Sequence, residues 1–130
     1  MKKLLLLSTL AISFQLVFAQ DMKKVQSTFL LNRLEEAKTE IDKVIADPKA
    51  GVKPDALYWK AKVYAAIYKD VALSAKFPNI EKDADAAVKA YTASDAALAQ
   101  VKEKGAEPFF DIYGAAFGRG VKSFNEKKWD

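Results

Sequence analysis

Asn32-Arg33-Leu34-Glu35-Glu36-Ala37, running on to Asp47-Pro48, and then Leu57-Tyr58-Trp59-Lys60-Ala61-Lys62-Val63-Tyr64 are two helices joined by a short polar loop. In the first, Leu34, Ala37, Ile41, Val44 and Ile45 recur at spacings of three and four, which places them on one helical face. The β-branched residues Ile41, Val44 and Ile45 lower helix propensity only slightly, and the period outweighs that cost. Pro48 disfavours helical geometry at Asp47 and ends the segment. Gly51 marks the loop, and Pro54 with Asp55 suits the first turn of the next helix. That helix carries two apolar seams, one of Leu57, Ala61, Tyr64 and Tyr68 and another of Trp59, Val63, Ala66 and Ile67. Two seams require neighbours on two sides. The order of elements is what a stacked helical repeat needs, because no single such helix can bury its apolar face alone.

Working towards the N-terminus, Val25, Phe29 and Leu30 extend the helical period back to about Met22, with a bend expected over Phe29–Arg33. Before that, Met1-Lys2-Lys3 is a positive start, Leu4 to Phe18 is largely apolar, and Val17-Phe18-Ala19 precedes Gln20. This is the pattern of a secretory signal over residues 1–19. The competing reading is a membrane anchor, but the apolar run is short of the roughly 20 residues a span requires. Removal of the signal leaves residues 20–130 as one small domain without an integral membrane span.

Towards the C-terminus, Ala75 to Pro78 breaks the pattern and Asn79 is a candidate cap. A long helix is expected from Ile80 to Lys104, with Ala84, Ala87, Val88, Tyr91, Ala97, Leu98 and Val101 on its apolar side. Gly105 stops it and Pro108 opens a last helix, from about Phe109 to Glu126. Its residues Phe110, Tyr113, Phe117, Val121 and Phe124 are expected to face the rest of the array. Apolar and polar residues alternate over no useful length, so the chain reads as all-α.

Composition narrows the chemistry. The formal net charge is +4, and Lys2 and Lys3 in the signal account for half of it. No Lys/Arg run forms a nucleic-acid footprint. With no cysteine and no histidine, disulfides, thiol nucleophiles and imidazole-based acid–base or metal chemistry drop out, and no cofactor is implied. The carboxylate pairs Glu35-Glu36 and Asp83/Asp85 stand one and two residues apart, which does not bring them face to face on a helix. The run Gly114-Ala115-Ala116-Phe117-Gly118-Arg119-Gly120 lacks the preceding strand and the Gly-Lys step of a phosphate loop. Gly114 and Gly118 have small-xxx-small spacing, read here as tight packing inside the array. A non-catalytic protein is expected.

Asn32 to Ala37, with Ile41, Val44 and Asp47-Pro48, resembles the turn, second helix and closing dipeptide of a tetratricopeptide repeat (TPR). Leu57, Ala61 and Tyr64 resemble the large, small and aromatic positions of the next first helix. Ala87 and Tyr91 resemble its partner, and Gly120 with Phe124 to Asp130 a further first helix. The sequence departs from the family at Lys60, where leucine is usual, and over Val71 to Asn79, which reads as an insertion. The chain also stops at Asp130, where a partner helix should begin. The resemblance implies antiparallel helix pairs stacked as a right-handed superhelical array, here an incomplete one, marginally stable and prone to self-association through its C-terminal repeat. A plain helical bundle would share the same core.

By the same resemblance, the array holds a protein or peptide in its concave groove, with Tyr58, Lys62, Phe117 and Asn125 as groove candidates. With the signal, this describes an exported scaffold of the bacterial periplasm or cell exterior. An exported small-ligand or glycan-binding protein, using Tyr58 and Trp59, is the alternative.

Overall fold

The structure, a computed structural model, describes residues 17–127. Seven helices account for the regular structure of the described residues: α1 over residues 17–30, α2 Leu34–Ala46, α3 Pro54–Lys69, α4 Val71–Lys76, α5 Ile80–Ser94, α6 Ala99–Lys104 and α7 Glu107–Asn125. The all-α expectation is met. Of the segment expected to be a signal, residues 1–16 lie outside the described residues, while Val17, Phe18 and Ala19 form the start of α1.

α3 is the axis of the fold. Only its first and last residues, Pro54 and Lys69, are exposed; everything between is buried or half-buried. It packs against α2, α5 and α7, with smaller contacts to α4 and α6, so its two seams have neighbours on both sides. α2 contributes Leu34, Ala37, Ile41 and Val44 to the core, and α5 contributes Ile80, Ala84, Ala87 and Tyr91. The expected bend between α1 and α2 is a turn in which Asn32 takes a positive φ of 56°. Asparagine tolerates this region better than most residues.

The α2–α3 turn is closed by Asp47. Its carboxylate accepts from the backbone N–H groups of Lys49 and Ala50, both at 2.8 Å, and Gly51 N–H donates to the Asp47 carbonyl at 2.8 Å. Those two backbone donors hold the Asp47 carboxyl below the usual carboxylate range. Gly51 is then pressed so close to the chain that a Cβ would collide with the Ile45 carbonyl and stand 2.9 Å from the Asp47 oxygen.

Two expectations are corrected, the first and third below, and one is filled in. First, the helix expected from Ile80 to Lys104 is two helices. It breaks after Ser94 because the Asp95 carboxylate captures the Gln100 N–H (3.0 Å), while the Tyr91 hydroxyl donates to Asp95 (2.8 Å) and accepts from Val101 N–H (3.2 Å). The turn so formed carries Leu98 at φ 51° and leaves Ala97 exposed. Second, the insertion Val71–Asn79 contains a helix, α4, begun by the Asp70 side chain accepting from Leu73 N–H at 2.9 Å. Third, α7 is turned the other way. Pro108, Phe109, Ile112 and Ala115 meet the core, and Phe110, Tyr113, Phe117, Val121 and Phe124 point outward. Gly114, Gly118 and Gly120 likewise have open space where a Cβ would stand, so among the described residues they pack against no other element.

Because the atoms around Gly51 are backbone and cannot swing aside, Gly51→Ala is expected to cost about 2 kcal/mol, as overpacking does. In a calorimetric melt the midpoint should fall by roughly 10 °C. An unchanged midpoint would show that the turn is looser than described.

Candidate functional site

Five aromatic rings run edge to face through the core. Phe29 meets Trp59 at 5.7 Å between centroids, Trp59 meets Tyr58 at 6.2 Å, Tyr58 meets Tyr91 at 5.5 Å, and Tyr91 meets Phe109 at 6.3 Å. The chain of rings links α1, α3, α5 and α7. Tyr58, expected in a groove, sits at its centre with 0 % exposure. Its hydroxyl is spent on the carbonyls of Lys104 (3.2 Å) and Gly105 (2.9 Å), tying α3 to the α6–α7 turn. Gly105 suits that turn because its φ of 99° and ψ of 167° belong to a region only glycine occupies readily. Trp59 is also buried, so neither ring offers a face to a sugar.

Lys62 is 16 % exposed in its side chain and lies over three rings, Trp59 at 5.4 Å, Phe29 at 5.7 Å and Tyr58 at 5.8 Å, with Glu107 at 3.7 Å. Its ammonium is held by the core aromatics rather than displayed. Phe117 stacks on Tyr113 at 6.2 Å and is exposed on the outer face of α7, and Asn125, the last residue of α7, is exposed. The four candidates therefore do not form one surface. Tyr58 and Lys62 belong to the core, and Phe117 and Asn125 to the helix opposite it.

Two features were not read from the residues. One is a cavity of about 450 Å³ where α3, the α4–α5 turn, α5 and α7 meet, lined by Tyr68, Pro78, Glu81, Lys82, Asp85 and Ile112 among others. The Tyr68 hydroxyl beside it is buried and has no hydrogen-bond partner among the described residues. Arg119 closes the neighbouring wall, its guanidinium 4.0 Å over the Tyr68 ring and donating to the Tyr68 carbonyl (2.7 Å) and to Ser74 Oγ (3.1 Å). The one hint in the residues was Arg119 between Gly118 and Gly120 in the otherwise apolar stretch Ile112–Val121.

The second feature is the outer face of α7 itself. Phe110, Tyr113, Phe117, Val121 and Phe124 are 72 %, 71 %, 63 %, 43 % and 62 % exposed. At about 100° per residue they share one side of the helix. They form one exposed apolar stripe along the outer side of α7. Among the described residues, no three or more acidic or other ligating side chains gather as a metal site would require. No described helix is long and apolar enough to cross a membrane.

The core tyrosines set the pH response. Burial, then the charge of Glu107, pushes the Tyr58 hydroxyl up to about 12. Burial and the bond to Asp42 (2.6 Å) raise Tyr64 to about 12, and burial with Asp95 does the same for Tyr91. Raised folded values mean that the fold favours the neutral hydroxyls. Their contribution is complete below the ordinary tyrosine value of 10.0 and is lost as the pH rises towards about 12. The chain is therefore expected to unfold cooperatively between these two values, with tyrosinate absorbance and loss of helical circular dichroism rising together. Tyrosinate formation complete near pH 10 with the helices intact would contradict the buried network.

Set beside known proteins, the chain matches no family model, no curated protein and no solved structure.

Proposed function

We propose that this chain is a non-catalytic interaction scaffold built as a TPR-like array. In this reading α2 is the second helix of one repeat, α3 and α5 are a pair, and α7 is the first helix of the next, with α4 and α6 as insertions between them. Short connections favour antiparallel neighbours, and α3 packs on α2, α5 and α7, the neighbours this reading gives it. The signal-like segment at residues 1–19 supports export to the periplasm or exterior of a bacterium.

The observation that carries the reading is the outer face of α7. Burying aromatic residues is the main favourable term in both folding and association, yet this helix sends three phenylalanines and a tyrosine away from the core. A face of this kind is used by a partner, and an apolar helix or peptide suits it. The groove first expected around Tyr58 and Lys62 moves accordingly to the other side of α7.

Placing p-benzoylphenylalanine at Phe117 and irradiating bacteria that export the chain should yield one adduct of defined mass. The same probe at Lys89, whose side chain is exposed on α5, should yield none. No adduct from position 117, or the same set of adducts from both positions, would count against the scaffold.

A further inference from the structure

From the outer face of α7 we infer that the partner is a second copy of this chain, docked helix against helix through Phe110, Tyr113, Phe117, Val121 and Phe124. The inference rests on the scaffold reading and narrows it to a self-complementary interface.

Three observations favour a second copy. The first is area. Taking about 200 Å² for a fully exposed aromatic side chain, the four rings at their observed exposures present on the order of 500 Å² per copy. Two copies thus bury on the order of 1,000 Å² from rings alone, the size at which a contact becomes specific. Val121 and the surface around the glycines add to this.

The second is charge. Between Phe110 and Asn125 the charged residues of α7 are Asp111, Arg119 and Lys122. Asp111 is engaged by Lys69 at 2.7 Å, and Arg119 lies on Tyr68. At about 100° per residue, all three fall outside the arc that holds the exposed rings. Two such arcs meet without opposing like charges, as a two-fold interface demands of a patch that must face itself.

The third is the glycines. Gly114 and Gly118 border the aromatic stripe, Gly120 lies on its other side, and apart from their own helix's backbone and chain neighbours no atom of the described residues comes within 4 Å of a Cβ placed on any of them. Glycine weakens a helix interior relative to alanine, and nothing among the described residues of one copy uses that concession. A second helix would, because small residues four apart let two backbones approach closely.

The test is sedimentation of the full chain at about 50 µM, above the micromolar Kd that interfaces near this size sustain. A dimer is expected. Phe110→Asp with Phe117→Asp should shift it to monomer, by a roughly tenfold or greater loss of affinity, with the circular dichroism unchanged because both side chains are exposed. Gly114→Leu gives a second reading with effects of opposite sign: a more stable helix and a weaker dimer. A monomeric wild type overturns the second copy while leaving a different partner to be caught by the probe at Phe117. A dimer insensitive to both sets of substitutions overturns the face, and loss of the adduct at Phe117 as well removes the scaffold reading itself.

Discussion

The edge-to-face chain Phe29–Trp59–Tyr58–Tyr91–Phe109 is the constraint on which the rest of the fold depends. Each such pair adds about 0.5–1.5 kcal/mol beyond the area it buries, and the geometry can be met only if α1, α5 and α7 hold fixed distances from α3. Tyrosine adds a second demand, since a buried hydroxyl left without a partner is expensive. Tyr58 meets it at the α6–α7 turn, Tyr64 at Asp42 on α2, and Tyr91 at Asp95 beyond the end of α5. Each hydroxyl thus ties a ring in the core to a particular place on the surface of the fold. The irregular features follow from these ties: the break after Ser94, the left-handed Leu98 and the glycine at position 105.

The same constraint explains the orientation of α7. Phe109 anchors the start of α7 in the ring chain, and beside the C-terminal half of α3 the Arg119 guanidinium stacks on Tyr68 next to the cavity. What α7 turns inward is modest, Ile112 and Ala115 with Pro108 and Phe109 at the start. Lys69 to Asp111 and Arg119 to the Tyr68 carbonyl then hold the helix in that rotation. The larger side chains, Phe110, Tyr113, Phe117 and Phe124, lie on the side of the helix away from these contacts. They emerge as an uncharged aromatic face, and it is on this face that the proposed function rests.

Local chemistry made much of this fold legible in the residues. Pro48, Gly51 and Pro54 placed the α2–α3 turn, Gly105 and Pro108 placed the α6–α7 turn, and the double seam of α3 announced its central position. What could not be read depended on partners distant in sequence or on rotation about a helix axis. The alanine-rich stretch around Asp95 keeps its apolar period through the break, because the bonds that stop the helix involve Tyr91, Gln100 and Val101 acting together. α7 has apolar residues on both faces, and periodicity alone cannot say which one the core accepts. The richer face was read as the buried one. The site candidates divided for the same reason: Tyr58 and Lys62 share a side of α3, but that side is filled by α1, α5 and the turn before α7.

If α3 is the axis that the aromatic chain secures, its amides open only when the whole molecule unfolds. Residue-resolved hydrogen exchange is the most direct test. Amides from Trp59 to Tyr68 should exchange slowest of all and share one opening free energy, with α2, α5 and the inner face of α7 exchanging earlier. If the amides of α2, α5 or α7 outlast those of α3, the fold is not organised around that helix and the account is contradicted at its centre.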